Sequence, residues 1–295
     1  MKKISLIVFF AISLFTATFC KNDASKEEET TAEQKEQTIE TNRIISLNGA
    51  ITEVLAALGH EKEIVGVDVT STYPETVKST AKDLGHVRSI SVETVMELKP
   101  TLILATDKDL NPTLIENLKA SGITVKVFSQ DISVDGTKKL IAEVANTLNN
   151  NNYEKLQNDI DNDLAQVKPI EKTPKVLFIY ARGANMLMVS GTNTPVDKVI
   201  ALAGGQNAVS DFEDYKPLTP EALLQGNPDV ILMFDSGLGS VGGPNGIFKI
   251  PGVDKTNAGK NKKIIAMDGG LLAGFGPRLG EAAVQLNVLL RENAK

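Results

Sequence analysis

The chain has one cysteine, two histidines, four tyrosines and no tryptophan among its 295 residues. A lone cysteine allows no internal disulfide and no cysteine-rich metal site. Two histidines, His60 and His86, leave little for a histidine-based zinc centre. Basic excess is missing too. The 31 Lys and Arg face 37 Asp and Glu, a formal charge of −6, so no basic stripe invites nucleic acid. Among the cations arginine is scarce, with only Arg43, Arg88, Arg182, Arg278 and Arg291. What is present is ordinary globular material, 42% apolar and 23% charged. That excludes a disordered tail, a coiled coil and a disulfide-stapled mini-domain.

The first 42 residues read as address rather than fold. Lys2 and Lys3 precede an apolar run from Ile4 to Phe19, the length of a signal-peptide core and short for a spanning helix. Residues 1–20 are therefore expected to be a signal for export. Cys20 closes the run and is the candidate lipid attachment site. Phe19 is bulkier than the small residue that usually precedes such a cysteine, which keeps a plain secretory signal as the alternative. Residues 21–42 are polar and acidic without apolar period, the composition of a flexible tether. Removing the two signal lysines, then the tether's seven acids and three lysines, leaves the body at −4. Such mild acidity points to no anionic macromolecular partner.

From Arg43 onward, short β-rich runs alternate with helical periods, the pattern of mostly parallel sheets. Strands are expected at 43–47, 63–68, 101–106, 124–129, 175–181, 186–190, 229–235 and 263–268. Helices are expected between them, with an amphipathic one from Pro277 to Glu292. A helical stretch from Val134 to Val167 is broken at Asn149 to Asn152, four poor helix formers in a row. The expected organisation is an α/β lobe at 43–150, a connecting helix at 151–172 and a second α/β lobe at 173–295.

An internal match relates the lobes. SVETVMELKPTLIL (91–104) aligns without a gap to TPEALLQGNPDVIL (219–232). Each begins on a hydroxyl residue suited to capping a helix, carries a Glu in the first turn where the helix dipole favours it, and ends before a Pro that feeds a buried strand. Glu93 and Glu221 are thus equivalent acids.

In open parallel sheets, ligands bind beyond the carboxyl ends of strands. With two lobes those loops should face each other across a cleft. The first long loop, 69–90, holds Tyr73 followed by Pro74, then His86 and Arg88. Arg88, Arg182 and Arg278 all fall in candidate cleft loops, and guanidinium groups pair with carboxylates and stack on flat π systems. Met186, Met188 and the stretch Leu271 to Phe275 are candidate walls. The Gly-rich 237–246 reads as a flexible loop, and His60 as an exposed turn residue. No dinucleotide fingerprint, Walker lysine or nucleophile elbow is present.

The runs RIISLNGAITEVLAALG, IVGVDVTSTYPE, SVETVMELKPTLILAT and TPEALLQGNPDVIL resemble the substrate-binding proteins of iron-complex and vitamin B12 ABC importers. TSTYPE, VSGTNTPVDKVIALAGGQNA and LLAGFGPR resemble the haem-binding branch. The resemblance spans 43–295. It implies two Rossmann-like α/β lobes joined by a long connecting helix, the class III periplasmic binding protein type. It implies ferric haem as the transported ligand, with no catalytic cofactor, and the membrane permease of an importer as partner. A tyrosine at the place of Tyr73 is the iron ligand in that branch, and phenolate suits ferric haem. The resemblance assigns Arg278 to a hydrogen bond with that tyrosine, and Glu93 and Glu221 to permease docking. Arg88 and Arg182 are candidates for the haem propionates, and His86 is the histidine that could serve as a second ligand. The chain is thus expected to be a periplasmic, lipid-anchored carrier and not an enzyme. The alternatives are a corrinoid or ferric-siderophore carrier on the same fold and, further off, an exported two-lobe hydrolase.

Overall fold

The computed structural model describes residues 42–108 and 112–293. The expected signal, Cys20 and all but the last tether residue lie outside them. Eleven strands form two sheets among the described residues. The first sheet contains β1 (Ile44–Ser46), β2 (Ile64–Val67), β3 (Lys82–Asp83), β4 (Leu102–Thr106) and β5 (Thr124–Phe128), in the order β3-β2-β1-β4-β5 and all parallel. The second contains β6 (Lys175–Ala181), β7 (Leu187–Ser190), β8 (Gln206–Asn207), β9 (Tyr215–Pro217), β10 (Val230–Phe234) and β11 (Ile264–Met267). Its order is β11-β10-β6-β7-β9, with β8 also paired to β6.

The two sheets share a parallel frame. In the first, β1 lies between β2 and β4, and β4 passes on to β5. In the second, β6 lies between β8 and β10, and β10 passes on to β11, all parallel. The second lobe adds the antiparallel β7 and β9 on the outer part of β6. The internal repeat falls on equivalent elements. Ser91 and Thr219 each accept a backbone N–H at a helix start, from Thr94 and Ala222, and the two helices lead into β4 and β10.

Burial on both sheet faces explains why the strands read as continuous apolar runs. Ile44 and Leu104 pack on one face of the first sheet, Ile45 and Ile103 on the other. Val176 and Phe178 face one side of the second sheet, Leu177 and Ile179 the other. The connecting helix is Glu154–Leu164, following Val134–Thr147 after the asparagine break. It is shorter than the 151–172 range, because residues from Ala165 onward leave the helix ahead of Pro169. The Gly-rich 237–246 is not a plain loop: helices Asp235–Ser240 and Pro244–Ile247 occupy it. Tyr215 is in β9.

The lobes meet through the segment after β11. Gly276 lies so close to the helix Gly49–Ala57 that a Cβ there would stand 3.2 Å from the Ala50 Cα and from Glu53 Oε2. Gln130 Nε2 donates to the Gly274 carbonyl at 3.3 Å. The terminal helix Leu279–Asn293 packs on the connecting helix, where Gly280 leaves no room for a side chain against Asp163 and Ile160.

Candidate functional site

The loop after β2 is pinned by buried hydroxyls. Thr52 Oγ1 donates to Ser46 Oγ at 2.8 Å and shares a hydrogen bond with Ser71 Oγ at 2.7 Å. Ser71 Oγ donates to Asp68 Oδ1 at 2.9 Å, and Thr70 Oγ1 to Asp68 Oδ2 at 2.7 Å. The amide of Gly49 donates to Thr70 Oγ1 at 2.9 Å. This network fixes the loop to the start of the helix Gly49–Ala57, and two residues later the loop presents Tyr73. Tyr73 is 48% exposed, and its bond to Pro74 is cis.

Against Tyr73 stands Arg278. Its guanidinium carbon lies 3.8 Å from the centre of the Tyr73 ring, a cation–π contact. The hydrogen bonds of that guanidinium go elsewhere, to Glu53: Nε donates to Oε2 at 3.0 Å and Nη2 to Oε1. The resemblance implied a hydrogen bond from Arg278 to the phenol oxygen. In this structure the arginine covers the ring face instead, because Glu53 holds its donors. Burial raises the Glu53 carboxyl above its usual range, and Asp268 and Glu281 add to the rise against the pull of Arg278. Burial works against the charge of Arg278, but the hydrogen bond and charge of Glu53 outweigh it and raise its pKa.

Tyr73, Glu53 and Arg278 border a cavity of about 420 Å³ between the connecting helix and the lobe junction. Five of its lining residues are acids: Glu53, Glu61, Asp159, Asp163 and Glu281. A larger cavity of about 720 Å³ lies between Lys108, Ser133, Lys198 and Phe275; of the candidate residues Phe275 alone borders it, so size does not mark the site.

The second lobe presents an aromatic face. Phe234 packs edge-on against Phe178 and Tyr180 with ring centres 4.8 and 6.1 Å apart, and Tyr180 meets Tyr215 at 6.4 Å. The Arg182 guanidinium lies 5.6 Å from the Tyr180 ring centre, and the hairpin it opens exposes Met186. Burial raises the Tyr215 hydroxyl pKa, and hydrogen bonding to Ser190 and Thr194 opposes the rise. A route of contact joins this face to the Tyr73 loop. Gly269 lies on the Phe234 ring, and a Cβ on Gly270 would come within 2.7 Å of Thr72 Oγ1.

Other candidates sit differently. Arg88 is exposed on the turn Val87–Ser89, and His86 Nδ1 accepts its backbone N–H at 3.3 Å. No hydrogen bond, ion pair or ring contact joins either residue to Tyr73 among the described residues. Leu271 and Leu272 are not cleft wall but are buried in the core of the second lobe, and Phe275, packed in the same core, borders the larger cavity. His60 is no exposed turn residue either, since its Nδ1 pairs with Glu63 at 2.9 Å in a partly buried setting. Glu93 and Glu221 are both exposed in first turns of their helices. No group of three His, Cys, Asp or Glu side chains is gathered for a metal ion among the described residues.

Glu53 was missed, although it is the only charged residue in the helix Gly49–Ala57. That isolation was the available signal. The aromatic face was missed because its members come from three separate strands.

Residues 44–270 match the family model described as periplasmic binding protein, and the chain belongs to that family. Its members are substrate-binding proteins of transporters rather than enzymes. The haem-binding protein RhuT of Roseiflexus sp. RS-1, solved in apo form, superposes with a TM-score of 0.83. It is 37% identical, over 86% of this chain and 100% of that one. The ABC transporter substrate-binding lipoprotein YvrC of Bacillus subtilis is 28% identical over 84% of this chain and 79% of its own length. A cobalamin-binding protein of Halobacterium salinarum is 27% identical over 65% of this chain and 54% of its length. The architecture is the two-lobed α/β type of class III periplasmic binding proteins.

Proposed function

We propose that this protein captures ferric haem outside the cytoplasm and delivers it to the permease of an ABC importer. The observation that carries the reading is Tyr73. It is a half-exposed phenol on a pinned loop at the carboxyl end of β2, with a guanidinium against its ring. A phenolate is a hard anionic donor that suits ferric iron. The greater likeness to RhuT than to the cobalamin-binding protein, 37% against 27% identity, supports haem over a corrinoid.

In this reading the iron binds Tyr73 alone, and the tetrapyrrole rests against Tyr180, Tyr215 and Phe234. Arg182 stands at the edge of that face for a propionate, with Arg88 on the opposite lobe. The cavity beside Glu53 suits propionates poorly, because its five acids would repel them. Lipid attachment at Cys20, with residues 21–42 as tether, would hold the carrier beside the membrane. Glu93 and Glu221, one per lobe, would meet cations on the permease.

The corrinoid reading is kept because curated relatives include cobalamin-binding proteins. Parallel titrations with haemin and cobalamin, followed by visible absorbance, decide between the two. Haemin is expected to give the charge-transfer band of a tyrosinate complex, and Tyr73→Ala to abolish it. Tight cobalamin binding with a haemin spectrum indifferent to Tyr73→Ala would replace the haem reading.

A further inference from the structure

Glu53 is 8% exposed, a carboxylate carried into the lobe junction by an otherwise uncharged helix. Its two oxygens grip the Arg278 fork through Nε and Nη2. Such a bidentate grip fixes the plane of a guanidinium as well as its position. The plane matters here because the same guanidinium covers the Tyr73 ring. Glu53 and Tyr73 belong to the first lobe and Arg278 to the second, so one lobe holds the arginine from two sides. Nη1 makes no hydrogen bond among the described residues and is left to serve a phenolate oxygen or an anionic group.

From this geometry we infer that Glu53 is a positioning residue of the binding site, holding the charge of Arg278 against Tyr73. The inference rests on the haem reading above. Glu53 touches neither iron nor porphyrin in this scheme and acts only through Arg278. The surroundings make the restraint necessary. Asp268 at the end of β11 and Glu281 on the terminal helix bear on Glu53, and Glu281 also bears on Arg278. Glu61, Asp159 and Asp163 line the same cavity. An arginine released from Glu53 has other carboxylates to turn to, and turning to them takes its charge off the Tyr73 ring.

The test is acid titration of the haemin complex, reading the pH at which the Tyr73-dependent band is lost. Protonation of the phenolate breaks the iron bond, so a well-placed cation lowers that midpoint. Glu53→Gln is nearly isosteric but cannot accept both guanidinium donors. It is expected to raise the midpoint by about one pH unit, a tenfold change in proton competition. Arg278→Ala is expected to raise it similarly, and the double variant no further. Arg278→Lys keeps the charge without the fork and should raise it too, which decides the matter if Glu53→Gln does not fold. An unmoved midpoint overturns the inference, and so does an additive double variant. A lowered midpoint in Glu53→Gln also overturns it, by making Glu53 a counter-charge instead. A wild-type protein whose haemin spectrum ignores Tyr73→Phe overturns the haem reading itself. That result is separate from a normal wild-type spectrum with unaffected variants.

Discussion

Lys99 and Asn227 occupy the same place in the two lobes, and both have left-handed backbone, with φ of 47° and 38°. Each follows the helix of the internal repeat and precedes the proline, Pro100 or Pro228, that leads into β4 or β10. The proline disfavours helical backbone before it, and the left-handed residue ends the helix by turning the chain. The two residue types are not equal to this task. Asparagine enters the left-handed region readily, whereas lysine carries the full steric cost of its Cβ.

Lys99→Gly should therefore stabilise the protein by about 0.5–1 kcal/mol, the relief of strain being partly offset by the freer unfolded chain. Asn227→Gly should cost about 1 kcal/mol, because Asn227 Oδ1 accepts the backbone N–H of Asn257 at 3.0 Å and glycine removes that acceptor. Urea denaturation of both variants measures this. Loss of stability in Lys99→Gly would mean that the lysine side chain holds the turn.

Arg278→Ala leaves Glu53 buried without its partner. Breaking a buried pair from one side costs about 3 kcal/mol at neutral pH. Burial already raises the Glu53 pKa, and removing the cation raises it further. A carboxyl with a raised folded-state pKa favours the folded state below its unfolded pKa and loses that contribution as pH rises through the folded value. The penalty of Arg278→Ala should thus be largest at pH 7 and shrink as the pH falls and Glu53 takes up a proton. Thermal melts at falling pH check the sign, and a pH-independent penalty would contradict it.

The eight expected strands were legible because most are apolar runs buried on both sheet faces; Thr124–Phe128, with Lys126 and an exposed face, was legible by its alternation instead. The polar pair Gln206–Asn207 and the exposed Tyr215–Pro217 carry no such signal, and only pairing to neighbours makes them strands. Tyr73 stood out by rarity and by the proline after it. Glu53 did not, because a glutamate in a helix ordinarily reads as solvated surface. Its meaning depends on Arg278, 225 residues away, and no local pattern carries that distance. The same holds for Leu271 and Leu272. Their glycine-rich setting suggested a cleft, but the chain turns their side chains into the core of the second lobe.

Glu93 and Glu221 stand exposed at matching helix starts, one in each lobe. The Glu93 pKa is lowered by its own helix-start backbone N–H and by Ser91, which favours the charged form. Reversal of both to Lys should leave haemin affinity within twofold. It should stop haem transfer into vesicles that contain the permease, because charges at an interface rim govern orientation and encounter. Restored transfer with a charge-reversed permease would tie the acids to docking. A large loss of haemin affinity in the carrier alone would move them into the binding site.

Gly270 and Thr72 set how closely the aromatic face approaches the Tyr73 loop. A Cβ at Gly270 would stand 2.7 Å from Thr72 Oγ1, inside any tolerated contact. Gly270→Ala should push the Tyr73 loop off its seat and weaken haemin binding about tenfold, or 1.4 kcal/mol. The fold should hold, because the clash falls on the tip of a side chain at the lobe junction rather than on the core. Thr72→Ala removes the clashing hydroxyl, so the double variant should recover most of the affinity while Thr72→Ala alone costs little. Gly49→Ala is the contrasting case. There the added Cβ meets the Thr70 carbonyl at 2.5 Å, which is backbone, and no side-chain change can make room. Affinities of the four variants, compared as a cycle, separate a spacing fault from general damage: recovery at 270 with none at 49 is the expected outcome, and equal loss at both without recovery would remove the Thr72–Gly270 contact from the binding argument.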